Sequence, residues 1–99
     1  MGATEVLDLR MLAGSEAQYK DKIVTVQGWV RNHRKQKNIG FMEFFDGTAF
    51  ATLQIVYDEK VSDFAAVQAI RNGSAITASG KLVEGRGGAL EMQAESIRL

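Results

Sequence analysis

The 99-residue sequence predicts an all-β domain with one helix: five strands closed into a small Greek-key barrel, the helix between the third and fourth strands, and a short N-terminal segment over one end. Three observations predict it. From Lys22 onward, β-branched and aromatic residues alternate with polar ones in short stretches. The period turns helical only once in that span, after Tyr57. Glycine-containing turns separate the stretches, and the chain holds ten glycines but no proline.

Residues 1–21 read as a lid with a short helical segment. Val6, Leu7, Leu9, Met11 and Leu12 are apolar, and Ser15-Glu16-Ala17-Gln18-Tyr19 suits one helical turn. The barrel is expected over residues 22–99. Ile23 to Val30 is β-branched and nearly alternating, a first strand, with Gly28 marking a bend or a close backbone approach. The polar stretch Asn32 to Asn38 is expected as a turn. Ile39 to Phe45 makes the second strand, closed by the hairpin dipeptide Asp46-Gly47, and Ala49 to Tyr57 makes the third. Ser62 then suits the N-cap of a helix whose Phe64, Val67 and Ile70 face would plug the barrel, with Asn72-Gly73 as its stop.

Strand character returns from Ala75 to Val83. Gly85-Arg86-Gly87-Gly88 is a hairpin connection, since it lacks the Lys and Ser/Thr of a phosphate loop. Ala89 to Leu99 is the last strand. Leu90, Met92 and Ala94 share one face of it, while Ile97 and Leu99 fall out of phase, a slip that a β-bulge near Glu95-Ser96 would supply. Three strands, a helix and two strands is the order of the OB-fold, a five-stranded barrel whose second and third strands face oligonucleotides.

Composition bounds the chemistry. With 45% apolar and 24% charged residues the chain has the makeup of one folded domain. The absence of cysteine excludes disulfides, thiol catalysis and cysteine-ligated metals, and a single histidine excludes most histidine metal sites. No apolar run approaches the ~18 residues of a membrane span. Glu5 and Asp8 stand where a secretion signal carries positive charge, so a soluble cytoplasmic domain is expected. The 12 basic and 12 acidic residues balance, but Arg31, Arg34, Lys35 and Lys37 cluster with His33 and no acid. The remaining 8 bases face 12 acids, so a local cationic patch sits on a background of −4. Such a patch attracts phosphates without making the whole surface adhesive for nucleic acid.

Strand alternation sorts the side chains. With Met42 and Phe44 inside, Phe41, Glu43 and Phe45 point out; with Leu53 and Ile55 inside, Thr52, Gln54 and Val56 point out. With Leu90 and Met92 inside, Glu91 and Gln93 point out. One face then carries a ring, an amide and a carboxylate beside the cationic patch, the parts single-strand recognition uses. An aromatic ring stacks on an unpaired base for about 1–3 kcal/mol, and polar groups read the edges of splayed-out bases. Each residue also has an ordinary structural reading. A one-residue slip would put Phe41 in the core, Gln54 and Glu91 would be solvated surface, Trp29 would pack as structure, and His33 would be a solvated turn residue.

Gly28-Trp29-Val30-Arg31, Arg34, Gly40-Phe41, Asp46-Gly47-Thr48 and Leu53-Gln54-Ile55-Val56 resemble the N-terminal anticodon-binding domain of class IIb aminoacyl-tRNA synthetases, which charge Asp, Asn and Lys. The resemblance continues through Gly73-Ser74, Thr77 to Val83 and Leu90 to Ala94, in order, over nearly the whole chain from Lys22. The Asp-Gly-Thr turn, the Leu-Gln-Ile-Val that follows and Lys37 before Gly40-Phe41 are most similar to asparaginyl enzymes. Aspartyl enzymes carry a different turn where this chain has Lys35-Gln36-Lys37.

The resemblance implies roles. Phe41 matches the aromatic that stacks on the middle anticodon base, a uridine in all three specificities. Gln54 matches the glutamine that reads that uridine, Glu91 the acid that contacts the third base, and Arg34 a basic residue near the anticodon backbone and bases. Arg31 and Lys37 are taken as phosphate-attracting. No catalytic residue, metal or cofactor is expected in this piece. ATP and Mg would belong to a catalytic domain following Leu99, in a parent ligase that is a homodimer, while the piece itself is expected to be monomeric or weakly associated. The alternatives are a generic single-strand binder, the corresponding domain of an aspartyl or lysyl enzyme, or a protein-docking barrel using Phe41 and Phe45.

Overall fold

The β-branched stretch after Lys22 becomes the longest strand of the molecule, and the rest of the barrel is assembled on it. The structure, a computed structural model, describes residues 6–12, 16–48, 52–85 and 90–99. In chain order the elements are β1 (Val6–Leu7), α1 (Leu9–Leu12), α2 (Glu16–Tyr19), β2 (Ile23–Lys35), β3 (Ile39–Phe45), β4 (Leu53–Asp58), α3 (Phe64–Gln68), β5 (Ala75–Glu84) and β6 (Leu90–Arg98). The sheet runs β1-β2-β3-β4-β6-β5, and a further β2–β5 pairing closes five strands into a barrel with β1 added outside, parallel to β2. β4 and β6 are parallel to each other; the other barrel pairs are antiparallel. This is the expected OB-fold. Among the described residues no helix is long and apolar enough to cross a membrane.

The inward halves of the strands make the core: Val24, Val26 and Val30 from β2, Met42 and Phe44 from β3, Leu53, Ile55 and Tyr57 from β4, with Leu82, Met92 and Ile97 opposite. Leu7 and Leu9 from the N-terminal segment and Val67 and Ile70 from the helical side are buried against them, and Phe64 packs partly buried. The expected bulge in the last strand is present. Ser79 pairs Ser96 while Gly80 pairs Ala94, so Glu95 is the extra residue and Ile97 returns to the core.

Three expectations are corrected. Asn32 to Asn38 is not a turn: β2 continues to Lys35, and only residues 36–38 turn the chain. Polarity misled there because this end of the β2–β3 hairpin is largely solvated, so low hydrophobicity does not mean loop. Ser62 is not the N-cap of the helix. Its N–H donates to the Glu95 carbonyl of the last strand, and Asp63, in a left-handed conformation (φ 58°), occupies the cap position without a side-chain hydrogen bond. The helix is also shorter than expected, ending at Gln68, so Ile70 is buried from the loop beyond it and Asn72-Gly73 turns into β5. The expected strand start at Ala49, the connection at 86–88 and Ala89 lie outside the described residues.

Candidate nucleic-acid interface

β3 sets the phase of the outer face. Met42 and Phe44 are fully buried, so Phe41, Glu43 and Phe45 emerge on the outside. β2 meets β3 through a bulge: Trp29 pairs Phe45 and Val30 pairs Phe44, but the next pairs are Asn32 with Glu43 and Arg34 with Phe41. Arg31 is the extra residue. A bulge inserts half a strand period, so Asn32 and Arg34 share the outer face with Trp29, while His33 turns inward. β4 sets Gln54 opposite Glu43 and Val56 opposite Phe41, and β6 lays Glu91 beside Gln54 and Gln93 beside Val56. Two rows therefore cross four strands: Asn32, Glu43, Gln54 and Glu91, then Arg34, Phe41, Val56 and Gln93.

The first row floors a cleft of about 420 Å³, lined also by Arg34, Thr52 and Leu90. Its chemistry is mixed. Asn32 and Gln54 each offer an amide acceptor and two donors, Glu43 and Glu91 offer acceptors only, and Arg34 is the cation of the lining. Thr52 Oγ1 donates to Glu43 Oε2 at 3.3 Å, and the backbone at Gly85 packs against the Glu91 carboxylate where a Cβ would collide with it. The Arg34 guanidinium lies 5.7 Å from the Phe41 ring centroid, within cation–π range. With two carboxylates to one guanidinium, the cleft suits base edges that bring N–H donors better than it suits phosphates.

Of the residues singled out from sequence, Phe41, Gln54, Glu91 and Arg34 come together. Gln54 and Glu91 are register partners, as are Arg34 and Phe41. Phe41 is half-buried on the outer face rather than in the core. Arg31 and Lys37 are exposed and stand apart from the cleft, one at the bulge and one in the β2–β3 turn. Sequence reasoning missed Asn32, because the bulge that aims it outward has no marker in the polar run. It also missed that Leu90, half-buried, lines the cleft.

One structural reading changes and one is sharpened. His33 is not a solvated turn residue: its Nδ1 is 2.8 Å from the Ile70 carbonyl and its Nε2 is 2.6 Å from the Tyr57 hydroxyl. It ties β2 to β4 and to the loop after α3. Trp29 packs against the Phe45 ring, but on the outer surface, where it is 44% exposed. Gly28 takes the inward position instead, where a Cβ would strike the Phe45 carbonyl oxygen and the Phe44 ring. The alternation Val26, Gly28, Val30 was the signal that Trp29 faces out.

Comparison with known proteins agrees with the fold. Residues 24–99 match the tRNA anticodon family, described as an OB-fold nucleic acid binding domain. The chain is 36% identical over 96 residues to the asparagine–tRNA ligase of Acholeplasma laidlawii, covering 94% of this chain and 21% of that one. It is 42% identical over 82 residues to that of Microcystis aeruginosa, covering 80% and 18%. The chain thus spans about a fifth of the length of the curated relatives it matches. Among solved structures, the asparaginyl-tRNA synthetase of Pyrococcus horikoshii complexed with asparaginyl-adenylate superposes with a TM-score of 0.72 at 20% identity, over 83% of this chain and 20% of that one. A protein titled OBody AM2EP06 bound to hen egg-white lysozyme superposes with a TM-score of 0.71 at 16% identity, over 83% and 82%, a likeness of fold. A barrel of this topology, with an amide, an acid and a ring on its outer face and a family match over residues 24–99, belongs to the tRNA anticodon family of OB-fold nucleic acid binding domains.

Proposed function

We propose that the chain is the anticodon-reading domain of an asparagine–tRNA ligase. The observation that carries the reading is the row in which Gln54 and Glu91 stand side by side on parallel strands, with the Phe41 ring in the next row of the same face and Arg34 beside it. Phe41 stacks on the middle anticodon base. The Gln54 amide pairs with the acceptor and donor of a uridine edge, and Glu91 accepts from an N–H of the third base. Arg34, Arg31 and Lys37 hold the phosphates outside a cleft whose carboxylates repel them.

The rest of the parent enzyme carries the ligase chemistry, in which ATP and Mg serve the catalytic domain; this domain supplies selectivity. In this reading the parent is a cytoplasmic homodimer and the isolated domain a monomer or weak oligomer.

Titration with anticodon stem-loops tests the proposal. A loop with a central uridine should bind about 5- to 150-fold tighter than its central-cytidine counterpart, since one mismatched position in a nucleic-acid site costs about 1–3 kcal/mol. Equal affinity for the two loops overturns the base-reading role. A DNA loop that binds as well as the RNA favours instead a sequence-indifferent single-strand binder, a reading the two cleft carboxylates oppose.

A further inference from the structure

Trp29 is not used by the contacts assigned above. Its indole is 44% exposed and stands on the same outer face as Phe41 and Gln54. Opposite it is Phe45, with ring centroids 5.7 Å apart and planes inclined by 36°. Beside it opens an apolar hollow of about 290 Å³, lined by Trp29, Ala75, Thr77 and Leu99 among others. Phe45 and Phe41 are four residues apart on β3, about 13 Å at ~3.3 Å per residue. The Glu43–Gln54 row lies between them. The bulged, exposed Arg31 stands in the chain between Trp29 and Asn32.

We propose that Trp29 and Phe45 form a second base-stacking platform. It takes an unpaired base of the same RNA strand, on the side of the cleft away from Phe41, with Arg31 serving the intervening phosphate. The inference rests on the RNA-binding reading and extends it. Stacking needs only a flat ring and is tolerant of base identity, so this platform adds affinity and fixes the direction of the strand without adding selectivity. Continuity with the cleft and the adjacent cation favour a nucleotide over a protein. The exposed neighbours Gln27, Arg31 and Asn32 are polar, and Arg31 supplies the positive charge that a phosphate between two stacked bases would meet.

Trp29 is the chain's single tryptophan, so its fluorescence reports this site alone. An anticodon stem-loop labelled on its stem is titrated, following anisotropy of the label and tryptophan emission together. Expected are quenching that saturates with the anisotropy, a 5- to 100-fold weaker complex for Trp29→Ala and Phe45→Ala, and near-normal affinity for Trp29→Phe. Binding by anisotropy with unchanged emission and unchanged affinity of Trp29→Ala overturns the platform while leaving the Phe41 cleft intact. Concentration-dependent self-association that is abolished by Trp29→Ala, with RNA affinity unaltered, overturns it in favour of a protein contact. If the wild-type protein binds no RNA even at low salt, the underlying reading falls first and the platform with it.

Discussion

Arg34 and Phe41 face each other across the β2–β3 pair, the guanidinium 5.7 Å from the ring centroid, so the aromatic proposed to stack on a base already has a cation as neighbour. A guanidinium plane can itself stack on a base. In the proposed reading an incoming base meets a two-part platform whose halves hold each other in place.

Removing either half should weaken binding in a distinct way. Phe41→Ala is expected to cost about 1–3 kcal/mol toward a uridine-containing loop. Arg34→Gln should weaken all RNAs alike and lower the salt slope by about one, because one fewer counterion is released. Since each residue orients the other, the double variant should lose less than the sum of the two singles, by more than the ~0.5 kcal/mol scatter of independent sites. Strict additivity in a double-mutant cycle would mean that the two groups act separately.

In the proposed reading Gln54 carries discrimination rather than bulk affinity. Exposed on β4 between Glu43 and Glu91 in register, it has an amide that can present both an acceptor and a donor to a uridine edge. Gln54→Ala is expected to compress the preference for uridine over cytidine at the middle position to within a few-fold, while both loops still bind through Phe41 and Arg34. Stem-loop pairs differing at that base measure it, and an unchanged uridine-to-cytidine ratio would reduce Gln54 to solvated surface.

The parts of this arrangement that obey a period were legible in the sequence. Met42 and Phe44 at 0% exposure fix Phe41 and Glu43 outside, and the out-of-phase Ile97 revealed the bulge at Glu95. What escaped were interruptions of a period within polar chain. The Arg31 bulge changes the face of every residue after it in β2, yet bulged and regular polar strands have the same composition, so Asn32 went unnoticed and residues 32–35 looked like a turn. The outward placing of Trp29 went unread for a different reason: an indole suggests burial, but a glycine had taken the inward position beside it. His33 depends on Tyr57 and Ile70, partners 24 and 37 residues away, which no local pattern announces.

Gly40 illustrates how the candidate interface leans on the core beneath it. It is buried in β3, and a Cβ there would run into the ring and hydroxyl of Tyr57, itself 2% exposed and bonded to His33. Gly40→Ala is expected to push the Tyr57 ring aside and destabilise the fold by about 1–3 kcal/mol, lowering the unfolding midpoint by several degrees. Because Phe41 follows directly and Lys35 pairs with Gly40, RNA affinity should fall as well. A calorimetric midpoint equal to that of the wild type would show that the barrel absorbs the methyl group without moving Tyr57.

Asp46 links acidity to the N-terminal segment. The carboxylate accepts from the Leu9 N–H at 2.8 Å through Oδ2, and from the Thr48 hydroxyl and N–H at 2.7 and 3.0 Å through Oδ1, in a turn where Gly47 adopts φ +81°. Burial alone would raise its pKa, but the donors from Thr48 and Leu9 prevail and hold it below the usual carboxylate value. A carboxyl depressed on folding stabilises the folded state fully above its unfolded pKa of about 3.9. That stabilisation is lost as pH falls through the lower folded value. Asp46→Asn sets an NH2 against one of these N–H or O–H donors and is expected to cost about 1–2 kcal/mol at neutral pH, held to that range by solvent around the half-exposed turn. Wild type and variant should converge in stability only once the pH has fallen below the depressed folded value, and the Leu9 amide should exchange faster in the variant at neutral pH. Denaturant unfolding across the acid range, read with amide exchange, decides it: a stability gap that stays constant down to the lowest pH would assign the effect to shape rather than to the charge on Asp46.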